Sequence, residues 1–294
     1  MKKPQLITLI SAIALLGVLW AFGSIKPDPA KAHEGHQHDG PAADAHDHGV
    51  ATSSFSIDSA LDIAKGSLPP ANAKILTGLE QSFDKATGDQ QKIHAYHQLS
   101  KFWKDTAKVF IPFAWYTAES ARLENSEKNL NFAGHLFLNN LQNIENADVL
   151  KWMALQAKDL FERSLKINPD NDSAKVGLGS TYLFGGISAA PMEGIAKIRE
   201  VVEKDSNNLY AQMTLAMGSL MSGQTDKAKE RLEIINRIDP KNMQAVLLLA
   251  DIYEKQGEKP EAIQYYQKAL LLVSDHAEMK SELEKRIVAL KAQN

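Results

Sequence analysis

The sequence predicts an all-α protein whose C-terminal half is an array of helical hairpins. Three observations lead to this fold class. Apolar residues recur at helical spacing from Ser56 onward, alternating β-branched runs bounded by turns are missing, and residues 209–242 align with residues 243–275 at an offset of 34. Because one hairpin cannot bury its apolar face alone, we expect the hairpins to stack into a right-handed helical solenoid.

The composition excludes several classes of function. The 294 residues carry 33 basic and 36 acidic side chains, a formal charge of −3, whereas general nucleic-acid binders usually carry a basic excess. Cysteine is missing, which rules out disulfides, thiolate nucleophiles, cysteine-ligated metals and a lipidated N-terminal cysteine. With 44% hydrophobic residues, most of the chain has enough apolar surface to build a core.

The N-terminal segment predicts a membrane address. Residues 1–5 include two lysines, and Leu6–Phe22 then runs for 17 residues without a charge. This length is at the lower limit for a bilayer span and slightly long for the hydrophobic region of a signal peptide. An uncleaved anchor and a signal cleaved near residues 21–23 or 30–32 therefore both stay open. We expect the anchor, with residues 1–5 in the cytoplasm of a bacterium and the body in the periplasm.

A histidine-rich linker separates this segment from the body. Residues 23–55 are rich in Gly, Pro, Ala, Asp and His and show no hydrophobic periodicity, which predicts a flexible tether. Five histidines lie in it among carboxylates: His33, His36, His38, His46 and His48. Imidazole suits Zn(II) and Cu(II), so the tether is either a weak, exchangeable metal site or a solvated spacer without a cofactor.

The body begins with a helical region, residues 56–125. Four helices are expected there, separated by Gly66 with the Pro69-Pro70 pair, by Gly88 and by Pro112. Their apolar stripes contain Ile57, Leu61 and Ala64, then Ile75, Leu79 and Phe83, then Ile93, Tyr96 and Trp103, and finally Trp115 and Ala118. His94 and His97 have no carboxylate companion apparent in the sequence, so we expect no catalytic role for them.

The internal repeat has a consistent pattern of small and large residues. At the offset of 34, Leu215-Ala216 falls on Leu249-Ala250, and Ala228 falls on Ala262. Gly223 falls on Gly257, and each is expected to supply the positive φ that ends the first helix of its unit. Each unit is therefore predicted to be a helix, a tight glycine turn and a second helix.

The residues that carry this pattern resemble the tetratricopeptide repeat (TPR). Leu249–Gly257, LADIYEKQG, followed by Glu261–Leu270, EAIQYYQKAL, is close to that family's consensus. The resemblance implies units at 172–208, 209–242 and 243–276, with a more divergent unit at 126–171. Residues 277–294 then form a capping helix, with Met279, Leu283, Ile287 and Leu290 on one stripe and Glu282, Glu284, Lys285 and Arg286 on the outer face.

The resemblance also implies a binding face, because TPR arrays hold peptide or protein segments on the concave surface lined by the first helices. On this chain that face is expected to include Val176, Ser180, Tyr210, Met213, Met217, Met221, Leu247 and Asp251. Methionines suit a loosely specified apolar ligand, although their spacing equally fits ordinary core packing. The Lys/Asn set that clamps a C-terminal carboxylate in some TPR adaptors is absent.

These patterns favour a non-enzymatic scaffold over an enzyme. No nucleophile elbow, HExxH motif, Walker loop or dinucleotide fingerprint is present. The leading hypothesis is a membrane-anchored TPR module that recruits a protein or peptide outside the cytoplasmic membrane. Two alternatives stay open: an assembly factor of cytochrome c maturation that holds apocytochrome, which rests on resemblance alone, and a metal-handling protein that acts through its tether.

Calorimetry on a peptide spanning residues 31–50 tests the tether. If the tether is a metal site, Zn(II) or Cu(II) binds this peptide weakly and a version with alanine at all five histidines binds neither, because imidazoles supply the preferred ligands. Identical titrations of the two peptides would leave the tether as a spacer.

Overall fold

The computed structural model describes residues 54–187, 191–273 and 276–292. The expected anchor, the cleavage positions and the five tether histidines lie outside these residues. Within them every regular element is a helix, which confirms the all-α expectation for this part of the chain. None of these helices is both long enough and apolar enough to span a bilayer.

The helices follow one another with short connections. The N-terminal region contains α1 (Ile57–Gly66), α2 (Pro70–Asp84), α3 (Asp89–Lys101), a π-helical turn (Phe102–Ala107) and α4 (Phe110–Glu124). Hairpins follow: α5 (Glu127–Leu138), α6 (Ala147–Ile167), α7 (Asp172–Phe184), α8 (Met192–Lys204), α9 (Leu209–Met221), α10 (Thr225–Ile238), α11 (Met243–Gln256) and α12 (Lys259–Leu272), and then α13 (Ala277–Ala292). Two compact units divide between Arg231 and Leu232, inside α10.

The N-terminal helices begin and end close to the expected breaks, but one apolar stripe is displaced. Ile75, which we assigned to the buried stripe of α2, is 52% exposed, whereas its neighbour Leu76 is 2% exposed. Spacings of three and four residues both keep side chains on one helix face, so Leu76 fits the stripe with Leu79 and Phe83 as well as Ile75 does. The sequence pattern could not distinguish them.

A π-helical turn follows Lys101, so Trp103, which was expected on the stripe of the third helix, lies in this turn. The turn ends at Lys108, whose φ is 57°, and the Val109 amide donates to the Trp103 carbonyl at 3.0 Å. The Trp103 side chain is completely buried next to Phe102. Single π turns are uncommon and recur at functional sites.

Arg122 joins the N-terminal region to the first hairpin. From α4 its guanidinium donates to Asp159 Oδ2 at 2.8 Å and to Gln156 Oε1 at 2.6 Å, both on α6. It also contacts Glu119 on its own helix. The Asp159 carboxyl is partly desolvated, which would raise its pKa, but the hydrogen bonds from Arg122 and Arg163 outweigh that effect and lower it.

The packing of the hairpins depends on close contacts at glycine. The Phe161 ring of α6 lies against Gly134 of α5 and Gly177 of α7, where an added Cβ would approach ring carbons to 2.8 and 2.4 Å. Gly179 and Gly194 bring α7 and α8 together, because a Cβ on either one would lie within 2.6 Å of the other's carbonyl oxygen. These glycines therefore allow helices to approach at distances that alanine would not permit.

Asparagine caps mark the start of successive first helices. The Oδ1 atoms of Asn171, Asn208 and Asn242 accept hydrogen bonds from backbone amides three residues later, at 2.9, 3.0 and 3.0 Å. Each cap satisfies one of the amides that a helix N-terminus leaves without a partner. This asparagine spacing is a repeat signal that the sequence comparison did not use.

The turns within the repeats match the expectation. Gly223 and Gly257 have φ values of 72° and 78°, as predicted for residues that end a first helix. Ala228 and Ala262, the small residues of the second helices, are completely buried.

The capping helix differs from its prediction at one residue. Met279, Leu283, Ile287 and Leu290 of α13 are all buried, as expected. Arg286, which we placed on the outer face, is half-buried and forms ion pairs with α11. Its long side chain reaches back across the helix to acidic partners, which helical spacing alone does not show.

Replacing Gly177 with alanine tests the contact with Phe161. We expect Gly177→Ala to lower the free energy of unfolding by about 1–3 kcal/mol, because the methyl group would force the ring or α7 to move. As a control, Gly78→Ala places a methyl group in open space on α2 and is expected to stabilise the protein by about 0.5–1 kcal/mol. Urea denaturation measures both, and equal effects of the two substitutions would contradict the packing argument.

Candidate functional site

The first helices of three successive hairpins bring polar and aromatic side chains together within the unit that ends at Arg231. We call these residues the first-helix cluster: Asn131 and His135 from α5, Ser173 and Ser180 from α7, and Tyr210 from α9. Residues from such different parts of the sequence meet only because the hairpins stack. The cluster is therefore a product of the fold.

His135 is at the centre of the cluster. Its Nε2 lies 2.9 Å from Ser173 Oγ, and Asn131 Nδ2 donates to the same oxygen at 3.3 Å. The imidazole ring is 5.6 Å from the Tyr210 ring, centroid to centroid. Together these contacts link α5 to both α7 and α9.

The environment of His135 keeps its imidazole neutral. The Phe161 ring of α6 and the imidazole pack in a T-shaped arrangement, with 5.0 Å between centroids. Burial lowers the pKa of His135 from 6.5 to about 4, because the charged form loses its hydration. At neutral pH the ring therefore offers one donor and one acceptor without a charge.

Tyr210 combines exposed surface with an enclosed hydroxyl. The residue is 36% exposed. Burial nevertheless raises the pKa of its hydroxyl to about 12, and an interaction with the Ser180 side chain partly opposes that rise. Most of a tyrosine's surface belongs to its ring, so a ring open to solvent and a desolvated hydroxyl are compatible.

Asn131 contributes an unused hydrogen-bond acceptor. Its Oδ1 is buried and accepts no hydrogen bond from any residue that the structure describes. Such an atom is costly to leave without a partner.

Most of the residues predicted to bind a partner present little surface. Tyr210 and Met221 are exposed and Met213 is half-buried, whereas Val176, Ser180, Met217, Leu247 and Asp251 are at most 8% exposed. The methionine side chains thus divide between the core and the surface. A binding role for these residues stays a prediction, and Tyr210, Met213 and Met221 are the ones that a partner could reach.

Asp251, in the unit that begins at Leu232, is engaged by ion pairs. Its carboxylate lies 2.9 Å from Lys255 Nζ and 3.5 Å from Arg286 Nη2. The Arg286 guanidinium also donates to Glu254 Oε2 at 2.7 Å, and the Tyr266 hydroxyl donates to that oxygen at 2.7 Å. In this arrangement the acidic residues of α11 hold α13 in place.

Sequence reasoning missed Asn131 and His135. The unit at 126–171 was assigned from Ala133, Gly134 and Phe137, and its first helix was not examined for binding residues. His135 lies in the last turn of α5, whereas Ser173 and Tyr210 are the second residues of α7 and α9. The repeat register therefore does not align His135 with them, and only the stacking of the helices brings the three residues together.

The described residues show no arrangement typical of a metal centre, because no group of three or more His, Cys, Asp or Glu side chains converges there.

One expectation about histidine was wrong: His97 does have a carboxylate companion, with its Nε2 2.6 Å from Glu124 Oε1. These residues lie 27 positions apart on different helices, which is why the sequence did not reveal the pair.

The pH dependence of stability tests the environment of His135. Because its folded pKa of about 4 is below the unfolded value of 6.5, protons bind the unfolded state first as the pH falls. The imidazole should therefore cost about 2 kcal/mol of stability between pH 7 and pH 5. We expect His135→Gln to remove this loss and Ser173→Ala, which keeps the imidazole, to retain it, as measured by urea denaturation. Parallel pH profiles for the wild type and His135→Gln would contradict the assignment.

One segment of the chain matches a known protein family. Residues 219–285 match the family model for the tetratricopeptide repeat. No curated protein matches the chain.

Several solved structures are similar at low sequence identity. A crystal structure of MamA protein is 18% identical in sequence. The aligned region covers 61% of this chain and 91% of the MamA chain, with a TM-score of 0.43. MamA 41-end from Desulfovibrio magneticus RS-1 is 19% identical with coverages of 64% and 97% and a TM-score of 0.43. YrrB, described as a TPR protein with an unusual peptide-binding site, is 17% identical with coverages of 70% and 97% and a TM-score of 0.40. With TM-scores below 0.5, these likenesses carry no functional argument, whereas the family match identifies residues 219–285 as tetratricopeptide-repeat sequence.

Proposed function

We propose that this chain is a non-enzymatic interaction module that binds an extended segment of another protein over α5, α7 and α9. The observation that supports this most is the first-helix cluster, in which three consecutive first helices present hydrogen-bonding groups side by side. A segment lying across these helices would contact all three hairpins. A site of this kind needs no catalytic group.

The chemistry of the cluster suits a peptide backbone. His135, Ser173 and Asn131 carry no formal charge at neutral pH and provide both donors and acceptors. Peptide groups are the uncharged donor–acceptor pairs that occur in every protein segment, whatever its side chains.

Apolar contacts next to the cluster would add affinity. Tyr210 leaves ring surface exposed, and Met221, on the same helix, is 67% exposed. Tyrosine supplies a large contact area with few rotatable bonds, and methionine adapts to ligands of different shape. We therefore expect a preference for segments that contain apolar side chains.

Attachment to a membrane is part of the proposal. Residues 6–22 would anchor the chain in a bacterial cytoplasmic membrane, and residues 23–55 would connect that anchor to the helical body in the periplasm. A flexible tether of this kind raises the local concentration of the binding surface near the bilayer.

Site-directed photocrosslinking in cells tests the proposed surface. A photoreactive phenylalanine derivative at position 210 should capture a partner, because this position lies in the exposed part of the cluster. The matched control carries the same residue at position 200, an exposed glutamate on the second helix α8. We expect crosslinks at position 210 that disappear when Ser173→Arg is added, because the large cation would block the space beside His135.

The outcomes separate the hypotheses. Equal crosslinking at positions 200 and 210, or crosslinks that Ser173→Arg does not reduce, would refute binding through the first-helix cluster. An apocytochrome as the captured protein would favour the role in cytochrome c maturation. Capture that depends on the five tether histidines would instead favour metal handling.

A further inference from the structure

A cavity outside the first-helix cluster lies within the helices that precede and open the hairpin region. Side chains of α3, the π-helical turn, α4 and α5 line a cavity of about 500 Å³ that is open to solvent. This volume is within the range of small-ligand sites. The proposed interaction surface does not use this cavity, so its function needs a separate explanation.

One side of the cavity carries a carboxylate. Glu124 lines it with a side chain that is 16% exposed, and its Oε2 accepts a hydrogen bond from Asn129 Nδ2. Oε1 is covered and lies 2.6 Å from His97 Nε2. A carboxylate in a cavity lining favours a ligand that brings hydrogen-bond donors, and an ammonium group brings three.

The cavity also has a basic side. Lys101 and Lys104 line it, and neither forms an ion pair with a described residue; Lys104 Nζ lies 5.6 Å from the centroid of the Phe113 ring. Asp105 lies in the same lining and offsets one of the two positive charges. One positive charge is left over, which suits a single carboxylate.

Aromatic and hydroxyl groups form the remainder of the lining. Phe113 and Phe132 contribute rings, and Phe132 is 60% exposed. Ser100 and Thr117 contribute hydroxyls that are hydrogen-bonded to each other at 2.7 Å. The rings would contact an apolar group of limited size.

We propose that this cavity binds a zwitterionic ligand with an apolar side chain, either a free α-amino acid or a short peptide. The ammonium group would lie at Glu124, the carboxylate at Lys101 and Lys104, and the side chain against Phe113 and Phe132. This arrangement places each charged group of the ligand next to a lining residue of opposite charge. It also accounts for the π-helical turn, because that turn carries Lys104 and Asp105 in the lining.

Isothermal titration calorimetry on the full-length chain tests the ligand class. Leucine and the dipeptide Leu-Leu are titrated in parallel, which distinguishes a free amino acid from a peptide. N-acetylleucine lacks the ammonium group and leucinamide lacks the carboxylate. We expect one of the first two probes to bind and its blocked analogues to bind at least about tenfold more weakly, because each loses a charge-assisted hydrogen bond.

Three variants connect binding to the cavity. Glu124→Gln and Lys101→Gln should each weaken binding of the preferred probe by about tenfold. Lys92→Gln changes an exposed lysine of α3 that does not line the cavity, and it should bind as the wild type does. Circular dichroism verifies that all three variants keep their helix content.

The proposal is overturned by either of two results. The first is an absence of heat with both leucine and Leu-Leu at millimolar concentration. The second is binding that N-acetylleucine and leucinamide reproduce at full affinity. Because the analogues are compared on the unmodified protein, the second result does not depend on whether any variant folds.

Discussion

The packing of one aromatic ring between two glycines determines the arrangement of the central hairpins. Phe161 projects from α6 into the space that Gly134 and Gly177 leave open on α5 and α7. A side chain at either glycine would separate these helices. Because protein interiors are close-packed, a displacement here would pass to neighbouring contacts.

The first-helix cluster depends on that arrangement. The imidazole of His135 packs against Phe161 in a T-shaped arrangement and reaches Ser173 across the boundary between α5 and α7. The same ring that spaces the helices also desolvates the histidine. The Phe161 ring therefore sets both the spacing of α5 and α7 and the uncharged state of His135. A substitution that moves this ring would alter the hydrogen-bonding groups presented to a partner.

The two compact units use different interactions near their first helices. In the unit ending at Arg231, uncharged groups face one another across three helices. In the unit beginning at Leu232, Asp251 and Glu254 of α11 are neutralised by Arg286, whose guanidinium lies 5.4 Å from the Tyr266 ring. Desolvation and the hydrogen bond to Glu254 raise the pKa of Tyr266, so this contact is a network with its own enclosed environment.

Helix positions and turn glycines could be predicted from the sequence, because local periodicity and backbone preference determine them. Gly223, Gly257 and the buried stripe of α13 are examples. Contacts between distant residues could not be predicted in this way. Neither the pair His97–Glu124 nor the approach of His135 to Tyr210 follows from spacing within one helix, since both depend on how helices cross.

The lowered pKa of His135 has a consequence for the binding of a segment at the first-helix cluster. An imidazole whose pKa is lowered to about 4 is neutral throughout the neutral range. If a bound segment leaves its burial unchanged, association at the first-helix cluster exchanges no protons with the buffer through this residue. Mild acidification would then affect His135 through the stability of the fold.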